Sequence, residues 1–290
     1  METIYLNLDK LAYWQEKAKP NVMALGFFDG VHKGHCEVIN TAAKIARDKS
    51  LSLAVMSFFP HPKTVISNGK VHYLMPLSEK KEKLRELGVD IFYIVEFNKE
   101  FASLPPEQFV AQYLLNLGVI HAVAGFDYTY GFRGAGNMDR LKADSGGLID
   151  ITKVEKLEIH GEKVSSTCIR ERLLKGRVDE IPTLLGHPYE VECIWDENTL
   201  KPTPYYTLPA PGYYEVTLKN QIGSIRTEVI VLETGEGKAL KCLTEIPKFM
   251  VGSLSIVWHR AIKEKRIFGW SQLLSDISNR KYMLNFVSKK

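Results

Sequence analysis

Two histidines three positions apart, His32 and His35, stand in the stretch Gly26-Phe27-Phe28-Asp29-Gly30-Val31-His32-Lys33-Gly34-His35. An imidazole N–H can donate to a phosphate oxygen, and two of them can hold charge that moves onto a leaving pyrophosphate. Gly34, between them, would let a nucleotide approach the backbone closely. A third histidine, His61, lies between Pro60 and Pro62, whose rings fix the loop's backbone and hold the imidazole in place. Further on, Gly125-Phe126-Asp127-Tyr128-Thr129-Tyr130-Gly131-Phe132-Arg133 sets a carboxylate among aromatic side chains. There Asp127 could bond a ribose or a base while the rings frame a planar ligand. Taken singly, each piece also suits a plain structural role: an ordinary turn, a rigid loop, a surface turn with aromatic anchors. Ser165, Ser166 and Thr167, ahead of a helical pattern, suit an N-cap equally well.

The elements that must position these residues follow from periodicity. The apolar run 22–28 predicts a buried strand, and the helical spacing of Ile39, Ala42, Ala43 and Ala46 predicts a helix from about Gly34 to Asp48. A strand, a tight glycine turn and a helix start present backbone N–H groups and the positive helix end to an anion. Further strands are expected at 51–59, 89–97, 119–124 and 149–157. Helices are expected at 78–87, 105–117, 167–175 and 178–185. Strands alternating with helices predict an α/β, doubly wound parallel sheet, in which ligands bind beyond the carboxyl ends of the strands. His32, His61 and Asp127 all fall just past expected strand ends, so they belong to one site. Past Gly186 the pattern changes to strands at 190–196, 213–219, 224–233, 239–244 and 253–260, broken by Pro202, Pro204, Pro209 and Pro211. This reads as a small antiparallel β-barrel with a closing helix at 269–281, and places a domain boundary near His187: 1–186 and 187–290.

Composition bounds the class. In 290 residues, 45% are hydrophobic and 25% charged, as expected of a soluble globular chain. A net charge of +4 suits anionic nucleotides and is too small to argue for nucleic acid. Cys36, Cys168, Cys193 and Cys242 have no zinc or redox spacing and are expected as reduced thiols. The first residues lack a basic start followed by an apolar block, and no apolar run approaches the roughly 20 residues of a membrane span. The expectation is a cytoplasmic protein with no membrane partner. No oligomeric state is read from the sequence.

The longer strings are more specific. Gly-Phe-Phe-Asp-Gly-Val-His-x-Gly-His (26–35), Phe-x-Pro-His-Pro (58–62), the Asp127 segment and Ser-Ser-Thr-x-Ile-Arg (165–170) resemble four ordered motifs of the bacterial FAD synthetase family. That resemblance runs over residues 20–190. Those proteins usually join an FMN adenylyltransferase to a riboflavin kinase. It implies that His32 and His35 hold the triphosphate, with Arg170 offsetting charge on the transferring phosphate. Gly26, Phe27, Asp29, Gly34, Asp127, Ser166 and Thr167 would position ATP. Phe59, His61, Tyr128 and Tyr130 would lie toward FMN, the two tyrosines standing where phenylalanine is usual. Magnesium is expected with ATP, held largely by phosphates and water, and the sequence names no metal ligands of its own.

The C-terminal half departs from the pattern. Family kinases carry Gly-x-Pro-Thr-Ala-Asn, and the similar place here reads Leu200-Lys201-Pro202-Thr203-Pro204-Tyr205. Thr203 remains, but Tyr205 stands where the asparagine should be. A glutamate base is expected where an ungapped count gives Leu240. Neither a phenol ring nor an aliphatic chain replaces that chemistry. Arg266 to Phe268 and 271–277 again resemble the kinase's closing segment. The resulting expectation is an FAD synthetase that makes FAD and pyrophosphate from ATP and FMN, with a kinase-like barrel lacking kinase chemistry. That barrel would support the first domain, bind a flavin or mediate association. The alternatives are a bifunctional enzyme that also takes riboflavin, a non-catalytic flavin or nucleotide sensor, and an adenylyltransferase acting on a different phosphate.

Overall fold

The computed structural model describes residues 1–67, 71–196, 199–235 and 237–262. The chain opens with strand β1 (Glu2–Leu6) and helix α1 (Leu8–Lys17), capped by the Asn7 side chain, which accepts from the Lys10 N–H. Strand β2 (Asn21–Leu25) is buried along its whole length, and its apolar run from Val22 to Leu25 suits a strand covered on both faces. Helix α2 (Lys33–Asp48) lays Val38, Ile39, Ala42, Ala43 and Ala46 against the sheet, the alanines keeping the helix close to it. Strand β3 (Ser52–Phe59) leads into the short helix α3 (Pro62–Ser67), then helix α4 (Leu77–Glu86) and strand β4 (Ile91–Glu96). Strands β5 (Val119–Gly125) and β6 (Asp150–Val154) complete a six-stranded parallel sheet of order β1-β4-β3-β2-β5-β6. The chain works outward from β2 on one side and continues from β5 on the other. The crevice beyond the carboxyl ends of these two neighbours is the topological switch point.

The segment expected as one helix over 105–117 is an α-turn at Pro106–Phe109, a π-segment at Val110–Leu114 and a 3-10 turn at Leu115–Leu117. It stops because the Asn21 side chain takes the Leu117 carbonyl at 2.7 Å and Gly118 turns left-handed at φ 73°. A Cβ at Gly118 would lie 2.4 Å from the Lys19 carbonyl oxygen, so only glycine fits there. Helix α3 and the short helices Lys99–Ala102 and Met138–Asp144 are not visible in the periodicity, being two turns or less.

Helices α5 (Ser166–Leu174) and α6 (Ile181–Leu185) connect to a closed antiparallel barrel of β7 (Glu190–Trp195), β8 (Leu200–Pro202), β9 (Gly212–Lys219), β10 (Ser224–Thr234), β11 (Gly237–Cys242) and β12 (Gly252–Ala261). Its order is β7-β8-β11-β10-β9-β12, and β7 pairs with β12 to close it. Alternate residues point inward: Tyr214, Val216 and Leu218 on β9, Leu254, Ile256 and Trp258 on β12. The three-residue strand β8 falls where the sequence suggested only a proline-broken connection. The barrel's hydrophobic cluster runs back past Gly186 to Ile169, Leu173, Ile181 and Leu184, so α5 and α6 share a core with the barrel. The helix expected at 269–281 and the kinase-like segments at 266–268 and 271–277 lie outside the described residues. The four cysteines are free thiols, and among the described residues no helix is long and apolar enough to cross a membrane.

Candidate active site

The histidine loop leaves β2 and turns sharply, with Phe28 at φ 54°, Gly30 at 79° and Val31 at 38°. The two non-glycine residues hold these conformations because their side chains are buried in the core. His32 then caps α2: its Nδ1 accepts the His35 N–H at 3.2 Å. That bond places the neutral ring's proton on Nε2, leaving a donor for a ligand. His35 stacks on His32 with centroids 3.5 Å apart and planes 16° apart. Burial lowers both pKa values, His32 to about 4 and His35 well below its usual range. Both rings are therefore neutral at pH 7, and they can act as N–H donors without carrying charge of their own.

Asp29, expected to position ATP, lies beneath the loop. It is 1% exposed, both carboxylate oxygens accept the Leu74 N–H (3.1 and 3.0 Å), and it pairs with the Arg170 guanidinium. Its role in the structure is to hold Arg170, whose Nε also donates to the His72 carbonyl at 3.0 Å. Lys80, hidden within the charged run of α4, is buried too. Its Nζ donates to the Phe27 carbonyl at 2.8 Å and lies 4.5 Å from the Phe27 ring centroid. Burial lowers Lys80 to about 8 and raises Asp29, which Lys80 and Arg170 pull back toward ionisation. Nothing in the Lys80-Lys81-Glu82-Lys83 pattern singles out the one buried lysine.

Ser165 caps α5 through the Cys168 N–H. The next two hydroxyls stand at the pocket. Ser166 donates to the Asp29 carbonyl at 2.9 Å, tying the start of α5 to the histidine loop, and Thr167 lines two cavities. Asp127 is exposed and ion-paired with Lys163, which also lies over the Phe126 ring. Tyr130 is not at a ligand surface. It is 5% exposed, its ring stacks on Phe109 with centroids 5.3 Å apart, and its hydroxyl donates to Asp144 at 2.6 Å. Tyr128 lines the histidine pocket, away from the aromatic cavity described next. So of the four residues expected near FMN, only Phe59 and His61 lie on the β3 side.

Three cavities converge here. One of about 410 Å³ is lined by Gly26, Phe27, His32, Gly34, His35, Asp127, Tyr128, Ser166 and Thr167. A second, of about 600 Å³, is mostly aromatic and apolar: Phe27, Phe58, Phe59, Tyr73 and Met75, with Pro204, Tyr205 and Tyr206 from the barrel. Phe27 and Phe58 line both. A third, of about 770 Å³, holds His61, Thr167 and Arg170 against the barrel segment 202–208. His61 sits edge-on to Phe27 at 4.3 Å, and its Nδ1 accepts the Lys63 N–H at 3.1 Å, so its proton too is on Nε2. Burial, aided by Arg170, lowers its pKa to about 4. Tyr73 and Tyr206 carry no motif, and Tyr205 stands out in the sequence only as a departure from the kinase motif, so none of the three is legible there as lining this cavity. Among the described residues no three His, Cys, Asp or Glu side chains come together to hold a metal ion.

Residues 14–168 match the FAD synthetase family. The chain belongs to this family. It is 46% identical over 196 residues to the bifunctional riboflavin kinase/FMN adenylyltransferase of Bacillus subtilis, covering 67% of this chain and 62% of that protein. It is 34% identical to the FAD synthetase of Listeria monocytogenes, covering 67% of this chain and 80% of that protein. The match thus spans about three fifths of the bifunctional relative's length. Among solved structures, the macrolide-efflux protein of Streptococcus pneumoniae covers 97% of this chain at a TM-score of 0.79 and 26% identity, the barrel included.

Proposed function

We propose that this member of the FAD synthetase family is an FMN adenylyltransferase. A phosphate oxygen of FMN attacks the α-phosphorus of ATP, the bond from that phosphorus to the bridging oxygen breaks, and pyrophosphate leaves as FAD forms. The observation that supports this reading best is the sharing of Phe27 and Phe58 between two unlike cavities. One is lined by imidazoles, hydroxyls and a helix N-terminus; the other is aromatic and apolar. A triphosphate suits the first and a flavin ring the second, with the reacting phosphates between them near His61, Thr167 and Arg170. Catalysis is then positioning and charge stabilisation, and needs no covalent intermediate. The Nε2–H of His32 and the pre-held Arg170 would meet charge growing on the phosphates, and Ser166, Thr167 and Gly34 would order the triphosphate. Magnesium would enter as part of the MgATP substrate, since the described side chains form no metal cluster.

The reading extends to the whole chain: an adenylyltransferase over 1–186 and a kinase-like barrel over 187–290 without riboflavin kinase activity, working in the cytoplasm on small molecules and not on nucleic acid. For the barrel, the support is that Leu240, 3% exposed, faces its core, and that Tyr205 stands in place of the expected asparagine. The names of bifunctional relatives favour the second reading, in which riboflavin is also phosphorylated. Incubating the protein with MgATP and either FMN or riboflavin, then separating the flavins, decides between them. FAD from FMN with riboflavin unchanged is the expected result. FMN or FAD from riboflavin would establish the bifunctional reading, and binding without product would leave a sensor.

A further inference from the structure

We propose that the barrel loop at Tyr205 completes the flavin pocket of the first unit, so that the barrel is a substrate-binding part of the adenylyltransferase. This rests on the FMN reading above. The aromatic cavity of about 600 Å³ has one wall from the first unit, Phe58 and Phe59 on β3, Phe27 in the histidine loop and Tyr73 ahead of α4, and another from the barrel, Pro204, Tyr205 and Tyr206. The two walls are pinned together by backbone. The Tyr73 N–H donates to the Tyr205 carbonyl at 2.6 Å, the Thr207 N–H donates to the Tyr73 carbonyl at 2.9 Å, and Tyr73 bridges Tyr206 in parallel register. The Tyr206 hydroxyl fixes the same loop to α4 by donating to Glu79 at 2.9 Å.

Tyr205 is the residue this scaffold holds out. Its backbone is left-handed at φ 72° and its side chain is 64% exposed, so the ring contributes nothing to the barrel core. It lines both the aromatic cavity and the larger cavity that contains His61 and Arg170. A large planar ring at the junction of a flat apolar slot and a phosphate-binding opening is placed to stack on a flat heterocycle whose phosphate reaches the second space. A phosphorylated flavin has that form. The loop would thus set affinity for the flavin ring and leave the nucleotide untouched.

The test is steady-state FAD formation by the full chain and its Y205A, Y205N and Y205F variants, with FMN varied at saturating MgATP and then the reverse. Asparagine tolerates left-handed backbone, which keeps the test valid where alanine disturbs the loop. Y205A and Y205N are expected to raise KM for FMN by about tenfold, the order of one lost stacking contact. KM for ATP and the thermal midpoint should not move, and Y205F should restore the KM for FMN. An unchanged KM for FMN, or equal changes for both substrates, overturns the role of the loop while the adenylyltransferase reading stands. If the wild-type chain forms no FAD, that reading fails. FMN binding followed by flavin fluorescence then decides the loop separately: a weaker Kd in Y205N supports it, and an equal Kd or no binding by wild type overturns it.

Discussion

The guanidinium of Arg170, on α5, is held against the carboxylate of Asp29 beneath the histidine loop, although the two residues are far apart in the chain. The pair joins the two segments that carry the phosphate-binding residues, and Ser166 repeats the link through the Asp29 carbonyl. Lys80, which is buried, is a second cation near the same carboxylate. Removing Asp29 leaves the buried Lys80 and the partly buried Arg170 without their anion, which is far costlier than losing an exposed pair. Asp29→Ala is expected to lower stability by about 3–5 kcal/mol, read as an earlier urea midpoint, with activity lost even where the protein is folded. A variant with wild-type stability would mean that Asp29 does not hold these cations.

His32 serves two purposes that substitution can separate. Its Nδ1 caps α2, and its Nε2–H is free for a ligand. Asparagine caps helices well, so His32→Asn should hold stability within about 1 kcal/mol. Loss of the donor should lower kcat for FAD formation by about 10²–10³. His32→Ala removes both and should lose stability as well. Full turnover in either variant would sink the assignment of this loop to catalysis.

Much of this was legible in the sequence because local pattern and motif agreed. The apolar run before Gly26 and the alanine stripe from Ala42 to Ala46 specify a strand and a helix that meet at the histidine loop. What sequence could not show is which face a polar or aromatic residue takes once the chain folds. Asp29 looks like a ligand residue and is an internal anchor, Tyr130 looks like a flavin contact and is core, and Lys80 looks like surface and is buried. The contact of Tyr73 with Tyr205 and Thr207 joins two segments with no shared periodicity, so no local reading could find it.

The buried histidines weaken the fold in acid. His32 and His61 titrate at about 4 in the folded protein, against about 6.5 when unfolded. Between these values the unfolded chain binds more protons, so stability falls as pH drops from about 6.5 to 4 and loses nothing more from these groups below that. For His32 the whole effect is of the order of 3 kcal/mol; the partly exposed His61 gives less. Read by urea unfolding, lowering the pH from 7 to 4 should cost the wild type more stability than His32→Asn, the difference being the share of His32. Glu79, raised to about 7 by burial, gains stability in acid and offsets part of the loss in both proteins. Over pH 6 to 7, kcat should show no inflection from the histidines, because they are already neutral. An inflection near 6.5 that His32→Asn abolishes would mean that this ring is charged in the working enzyme.

Tyr130 gives the sharpest contrast between a stability residue and a ligand residue. Its hydroxyl donates to Asp144, which Arg140 also holds through two nitrogens, and its ring packs so tightly that a Cβ at Gly136 would lie 2.3 Å from it. Tyr130→Phe keeps the ring and deletes one charge-assisted bond, at a cost of about 1.5–3 kcal/mol. Its KM for FMN should equal that of the wild type, because the ring lies in the core between Phe109 and Gly136 and lines neither the histidine pocket nor the aromatic cavity. A raised KM for FMN with unchanged stability would place the hydroxyl against the substrate and return Tyr130 to the flavin site.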